Sequence, residues 1–170
     1  MKIQTPITDE MVQSLRAGDT LSLSGTIYTG RDSAHKRMVA EKTLPFPKDS
    51  IIYYAGPCPA PPGKVIGSVG PTTSSRMDSF AVDLIGRGLR FMIGKGERSE
   101  DVINAIIEHK GIYFSAIGGT GALMALCVEQ AEVIAYHDLG PEAVYKLVVK
   151  DMPLTVAIDC RGKTILKLIH

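Results

Sequence analysis

Short apolar segments that end in a glycine turn and lead into a helical pattern recur along this chain. The first predicts a strand that ends at Gly30 and a helix over residues 32–42. A later one predicts a strand over residues 89–93, a turn at Gly94-Lys95-Gly96 and a helix with Ser99 at its N-terminus. Helices that follow strands in this way cover the faces of a sheet, so the pattern predicts an α/β layered domain. Ligands of such domains bind where strands end and glycine turns begin.

The remaining apolar patterns predict more strands and helices within one domain over residues 1–170. The predicted strands cover residues 51–55, 65–69, 112–117, 133–136, 155–158 and 164–169. The predicted helices begin at Thr8, after the Gly70–Thr73 turn, at the Gly118–Gly121 turn and near Pro141. Residues 57–63 contain four prolines and predict a loop.

Charge and cysteine usage exclude several classes of protein. The 19 basic and 18 acidic side chains give a net charge of +1, which provides no broad basic surface for nucleic acid or an anionic membrane. No segment reaches the roughly 20 apolar residues of a membrane helix. Cys58, Cys127 and Cys160 are too widely spaced for a metal motif and odd in number, which favours reduced thiols. We therefore expect a soluble, cytoplasmic protein that binds no metal itself.

Three of the predicted junctions place cations beside small, flexible residues. They are the segments Gly30-Arg31-Asp32-Ser33-Ala34-His35-Lys36-Arg37, Gly70-Pro71-Thr72-Thr73-Ser74-Ser75-Arg76-Met77-Asp78 and Gly94-Lys95-Gly96. Backbone N–H groups at helix starts favour anions, and a guanidinium can hold a carboxylate through two parallel hydrogen bonds. If the three junctions converge, they form a pocket for a small dicarboxylate or a phosphate.

Structural roles account for the same residues one at a time. The sole role of Thr72 or Thr73 could be that of a helix N-cap. Arg31 and Asp32 could form a surface ion pair of negligible energy. Lys95 could be a solvated turn residue, and His35 could simply pack. The Gly118–Gly121 turn lacks the dinucleotide-binding pattern, so it is better explained by close packing or by backbone approach to a small ligand.

Together and in this order, the three junctions resemble the β subunit, or C-terminal domain, of the iron–sulfur hydro-lyases, the class I fumarases and L(+)-tartrate dehydratases. The resemblance covers about residues 3 to 160, and the segment from Gly70 to Asp78 is its most specific part. It implies a swivelling β/β/α domain with mixed sheets and flanking helices. It also implies a larger α subunit, which carries a [4Fe-4S] cluster on three cysteines, in an α2β2 assembly.

The resemblance implies roles for eight residues of the three junctions. Thr72 becomes the acid/base candidate, and Arg31, Arg76 and Lys95 become the clamps for the substrate carboxylates. Four more residues are expected to support them: Asp32, His35, Thr73 and Asp78.

Three functions remain open at this point. The first is the β subunit of a fumarate hydratase, inactive without its α subunit, and the second is the same subunit of an L(+)-tartrate dehydratase. Glu97 and the Gly-Thr-Gly around Thr120 depart from the usual fumarase pattern, which keeps both substrates open. The third is a free-standing module that binds a small carboxylate or phosphate.

Overall fold

A mixed sheet of seven strands forms the centre of the computed structural model, which describes residues 1–116 and 121–166. The strands are β1 (Lys2–Gln4), β2 (Thr20–Thr29), β3 (Ile51–Tyr53), β4 (Phe91–Gly94), β5 (Ile112–Ala116), β6 (Val128–Ala135) and β7 (Val144–Ile158). The α-helices are α1 (Asp9–Ser14), α2 (Asp32–Glu41), α3 (Asp78–Gly86), α4 (Glu100–His109) and α5 (Gly121–Leu126). Two 3-10 helices cover Ser74–Met77 and His137–Glu142. The predicted α/β domain is confirmed.

The sheet closes into a ring because β7 pairs with both β5 and β2. Strands β1 to β5 are parallel neighbours in chain order. Strand β7 then runs antiparallel to β5 and also antiparallel to β2, so β2, β3, β4, β5 and β7 surround a common interior. Strands β1 and β6 extend this ring at its edges. All the parallel strands therefore present their carboxyl ends on the same side.

Two hydrophobic cores lie on opposite faces of the strands. Alternate residues point to opposite faces of a strand, and in β3 this places Tyr53 in the core that fills the ring and Ile52 in the core beneath the helices. Helices α2, α3 and α4 cover that second face with Met38, Leu84 and Ile106. Strands buried on both faces explain the continuous apolar runs in the sequence.

Helix starts agree with their sequence signals. Thr8 accepts a hydrogen bond from the backbone N–H of Met11 at 3.2 Å and begins α1. Ser99 accepts one from Val102 at 3.3 Å and begins α4. Each satisfies a backbone donor that the first helical turn leaves without a partner. Both predicted caps are confirmed.

The strand predicted over residues 65–69 is wrong. Its backbone forms hydrogen bonds outside the sheet instead, since Ser68 accepts from the N–H of Cys58 at 2.8 Å and Val69 donates to the carbonyl of Gly121 at 3.1 Å. Val69 is buried all the same. A folded-back loop rather than a sheet buries part of this run, while Val65 is exposed. Periodicity does not separate a buried loop from a buried strand.

The C-terminal strands differ from their predicted bounds. The strand predicted over residues 155–158 is the end of the 15-residue β7, and β6 starts five residues before the predicted residue 133. The helix predicted near Pro141 is a 3-10 helix that begins at His137. Of residues 164–169, Thr164 forms an isolated bridge to Ile158, and residues 167–169 lie outside the described residues. The described helices are all too short or too polar to cross a membrane.

Candidate active site

The three cationic junctions meet at the carboxyl ends of the parallel strands. The first follows β2, the third follows β4, and the strand between them, β3, leads through a loop to the second. Backbone contacts hold the second junction against the third, and a side-chain ion pair joins it to the first. The convergence that the sequence analysis assumed is therefore confirmed.

Thr72 and Thr73 connect the second junction to β3 and to Lys95. The backbone N–H of Thr72 donates to the carbonyl of Tyr54 at 2.6 Å, directly after β3. Thr73 forms a parallel bridge with Lys95, and the N–H of Ser74 donates to the Lys95 carbonyl at 2.9 Å. Thr72 is half-buried, whereas the side chains of Thr73 and Lys95 are exposed.

Helix capping does not explain these threonines. Thr73 precedes the 3-10 helix that starts at Ser74, but its side chain makes no capping hydrogen bond. Thr72 lies one residue further from the helix. The alternative that either residue serves as an ordinary cap is therefore wrong for this structure, and the two threonines are left at the surface where the junctions meet.

The close approach of the second and third junctions requires a glycine at the end of β4. A Cβ atom on Gly94 would lie 2.0 Å from the Ser74 Oγ and 2.9 Å from the ring of Tyr54. Contacts this short are repulsive, so any larger residue would push the Thr72–Ser74 segment away from the strand.

His35 fixes the first junction from below. Its Nδ1 lies 2.7 Å from the carbonyl oxygen of Arg31, and because a carbonyl only accepts, Nδ1 carries the proton. The ring is buried, packs edge-on against Tyr54 at 5.2 Å and has no described partner at Nε2. Burial, and to a lesser degree the charge of Arg98, lower its pKa to about 4. His35 is thus neutral at pH 7, and its ring donates a hydrogen bond to the Arg31 carbonyl.

The first and second junctions are joined by an ion pair. The guanidinium of Arg76 contacts the Asp32 Oδ2 at 3.2 Å, with about half of the arginine side chain exposed. Asp32 therefore pairs with Arg76, and the predicted alternative of a local pair with Arg31 is wrong. The buried Nε of Arg31 has no partner among the described residues. The Arg31 side chain passes close to Gly56. A Cβ on Gly56 would lie 2.9 Å from the Arg31 Cδ and 2.9 Å from the carbonyl oxygen of Pro141.

Asp78 lies under the site and pairs with an arginine that the sequence analysis did not single out. Its Oδ1 accepts from the Nε of Arg98 at 2.7 Å, and its Oδ2 accepts from the N–H of Ser99 at 2.7 Å. The Arg98 side chain is fully buried. A charged residue is rarely buried unless it is paired, and no periodicity or motif marks Arg98 in the sequence.

Two tyrosines enclose the Arg98 guanidinium. The Cζ of Arg98 lies 5.1 Å from the ring centre of Tyr54 and 4.8 Å from that of Tyr113, distances that suit cation–π attraction. The Tyr113 hydroxyl reaches the Ser74 Oγ at 2.7 Å and the carbonyl of Gly96 at 2.8 Å. Burial raises the pKa of Tyr113 to about 12, so its hydroxyl keeps its proton at neutral pH.

The late glycine turn contributes a close backbone approach. A Cβ on Gly121 would lie 2.9 Å from the backbone nitrogen of Gly70, at the start of the second junction. Gly121 thus packs closely against a loop, rather than against a strand as the packing explanation assumed. Residues 118–120 of the predicted turn lie outside the described residues.

The cysteines do not form a metal site within residues 1–116 and 121–166. Cys58 is exposed, Cys127 is half-buried and Cys160 is buried, and all three are free thiols. No three Cys, His, Asp or Glu side chains of these ranges are placed to hold a metal ion together. These residues of the chain do not fit an iron–sulfur cluster.

Comparisons with known proteins place the chain in a family. The family model described as "Fumarase C-terminus" matches residues 1–169. The anaerobic class I fumarate hydratase of Escherichia coli K12 is 45% identical over 150 residues, which are 84% of this chain but 27% of that protein. The chain thus spans about a quarter of the length of this enzyme.

A shorter relative matches over nearly its whole length. It is the Methanocaldococcus jannaschii protein named "Putative L(+)-tartrate dehydratase subunit beta", 35% identical over 96% of this chain and 90% of the relative. The length of this relative is therefore similar to that of the present chain, whereas the fumarate hydratase is several times longer. The chain belongs to the fumarase C-terminus family, whose relatives here are class I fumarate hydratases and a tartrate dehydratase subunit.

Proposed function

We propose that this chain is the β subunit of a two-subunit hydro-lyase that interconverts fumarate and L-malate. The observation that carries the proposal is that the three junctions meet at the carboxyl ends of β2, β3 and β4, because these junctions contain Arg31, Thr72, Arg76 and Lys95. Three cations suit a substrate with two carboxylates. The 45% identity to a class I fumarate hydratase supports the choice of substrate.

The partner in this proposal is a larger α subunit that carries the [4Fe-4S] cluster. The relative named as a subunit beta has nearly the length of this chain, which supports a separate partner. The described residues offer no set of cluster ligands, which is consistent with the cluster being bound by the other subunit. We propose that the active site is completed by the α subunit, in an α2β2 assembly.

The residues of this chain would bind the substrate and move one proton. Hydration of fumarate adds a hydroxyl group to one alkene carbon and a proton to the other. Arg31, Arg76 and Lys95 would hold the two carboxylates and stabilise the negative charge of an aci-carboxylate intermediate. Thr72 would transfer the proton at the neighbouring carbon, and the cations would stabilise its alkoxide-like form.

Asp32 has a defined part in this arrangement. It holds Arg76 at 3.2 Å in the absence of substrate, at the surface where the carboxylates would bind. A substrate carboxylate would approach Arg76 from the exposed half of its side chain. Asp32 would then fix the direction of the guanidinium rather than contact the substrate itself.

Anaerobic co-expression with a cysteine-bearing α subunit tests the proposal. The assembly should interconvert malate and fumarate, and Thr72→Ala should abolish turnover while the subunits still assemble. Ser79→Ala, which removes an exposed hydroxyl from α3, is the matched control and should keep full turnover. Near-normal turnover by Thr72→Ala would refute the role of Thr72.

The same assembly decides between the remaining functions. The likeness to the subunit named for L(+)-tartrate dehydratase favours tartrate as the second candidate substrate. Turnover of tartrate without turnover of malate would replace the fumarase proposal by that one. Carboxylate binding by the chain alone in calorimetry, without assembly with an α subunit, would instead support a free-standing binding module.

A further inference from the structure

A buried arginine lies at the centre of the contacts that bring the three junctions together. Arg98 is fully buried between Tyr54 and Tyr113, and its ion pair with Asp78 neutralises it. No substrate atom could reach it in this position. Its partners, however, are the groups that hold Arg31, Thr72 and Lys95 in place.

Tyr54 connects Arg98 to the first and second junctions. Its hydroxyl accepts a hydrogen bond from the Arg98 guanidinium at 3.1 Å. Its carbonyl accepts the backbone N–H of Thr72 at 2.6 Å. Its ring packs edge-on against His35, which binds the carbonyl of Arg31. A shift of Tyr54 would therefore move the supports of both Arg31 and Thr72.

Tyr113 connects Arg98 to the second and third junctions. Its ring lies under the guanidinium, and its hydroxyl contacts the Ser74 Oγ and the carbonyl of Gly96. Ser74 in turn binds the carbonyl of Lys95 through its N–H at 2.9 Å. A shift of Tyr113 would therefore change the distance between Thr72 and Lys95.

We infer that Arg98 is a positioning residue that sets the relative placement of the substrate clamps through the stack Tyr54–Arg98–Tyr113. Arginine suits this place because its planar guanidinium binds Asp78 and Tyr54 at its edge while it packs against rings on its faces. Lysine has the same charge but neither the plane nor the fork of donors. The inference rests on the proposed function for its catalytic consequence, whereas its structural part concerns this chain alone.

Amide hydrogen exchange of the full chain tests the structural part. In Arg98→Lys, the amides of Thr72 and Ser74 should exchange at least about tenfold faster, because local opening governs their exchange. The amide of Gly18, which donates to Val156 at 2.8 Å in a distant part of the fold, should exchange as in the wild type. Equal protection of Thr72 and Ser74 in both proteins, or equal acceleration of all three amides, would overturn the inference.

A matched arginine at the other end of the same strand controls for general destabilisation. Arg90 also lies over an aromatic ring, that of Phe91 at 4.6 Å, and also pairs with aspartates. Arg90→Lys should leave the exchange of the Thr72 and Ser74 amides unchanged. Acceleration of these two amides by Arg90→Lys as large as by Arg98→Lys would refute a specific role.

A milder variant keeps the test decisive if Arg98→Lys does not fold. Tyr113→Phe removes only the hydroxyl that contacts Ser74 and Gly96, and it should accelerate exchange of the Ser74 amide by about fivefold. No acceleration in Tyr113→Phe would count against the stack as the connection between the second and third junctions.

Kinetics of the assembled enzyme test the catalytic part. Arg98→Lys should lower kcat by at least about tenfold, since small misplacements of reacting groups are costly, while Arg90→Lys should retain the wild-type kcat. A wild-type assembly without hydro-lyase activity would refute the proposed function, and the exchange data would still decide the structural part. Accelerated exchange at Thr72 with unchanged kcat would refute the catalytic part.

Discussion

Acid should weaken this fold through His35, and replacing that residue by asparagine should remove the effect. The ring is buried with its proton on Nδ1, where it donates to the Arg31 carbonyl. A second proton would have to go to Nε2, which has no partner among the described residues. The buried charge would then lie near the like charge of Arg98, which the Asp32 carboxylate offsets in part.

The magnitude follows from the change in pKa on folding. The pKa of His35 is about 4 in the fold against 6.5 for an ordinary histidine, and burial is the main cause. Between these values the unfolded chain binds the extra proton and the folded chain does not, so the free energy of unfolding falls as the pH falls. A difference of this size corresponds to about 3 kcal/mol between pH 7 and pH 4.

Urea unfolding at several pH values between 7 and 4 measures this loss. His35→Asn keeps a donor near the Nδ1 position but does not titrate, so its free energy of unfolding should fall by about 3 kcal/mol less than that of the wild type over this range. His109→Gln, at a partly exposed position in α4, should follow the wild type. An equal loss in the wild type and His35→Asn would refute the reasoning.

Three further predictions follow from packing, ion pairs and exposure. Gly94→Ala should lower the free energy of unfolding by about 1–3 kcal/mol because its Cβ has no room, whereas Gly86→Ala, with no contact nearer than 3.8 Å, should not destabilise. Asp78→Asn should cost about 3–5 kcal/mol because a buried arginine loses its counter-charge, but Asp32→Asn, in an exposed pair, should cost less than about 1 kcal/mol. Urea unfolding measures all four variants. A thiol reagent should modify Cys58 first in the native chain, as followed by mass spectrometry of its peptides.

Each of these has a result that would contradict it. Equal destabilisation by the two glycine variants would show that the close approach at the end of β4 does not limit side-chain size. Equal costs of the two aspartate variants would show that burial does not separate their ion pairs. Initial modification of the buried Cys160 would contradict the exposures on which the third prediction rests.

The sequence alone was sufficient for the local elements. Thr8 and Ser99 mark helix starts because a side-chain oxygen next to apolar periodicity satisfies backbone donors within the same few residues. The helix predicted after the Gly70–Thr73 turn also forms, and its apolar residues Ala81, Leu84 and Ile85 are buried. Such signals are readable because their cause lies within one turn of the chain.

Elements whose partners are distant in the chain were less readable. Residues 65–69 have the composition of a buried strand, yet Cys58 and Gly121 take the backbone hydrogen bonds that a neighbouring strand would need. The predicted strand at residue 155 captured only the end of β7, whose first part pairs with the more exposed β6. The composition of a segment does not indicate which other segment will form hydrogen bonds with its backbone.

For the site, the sequence determined which residues were candidates, and only the tertiary structure decided how they are held. The three junctions were visible because glycine, hydroxyl and cationic residues follow strand ends in short, regular segments. The pairing of Asp32 with Arg76 and the burial of Arg98 between two tyrosines were not visible, since each joins residues at least 15 positions apart. From sequence alone an arginine is expected at the surface, because its burial and its ion pairs depend on the residues that pack around it in the fold. The candidate clamp residues can thus be identified from short segments of sequence, whereas their placement next to one another depends on the closed sheet.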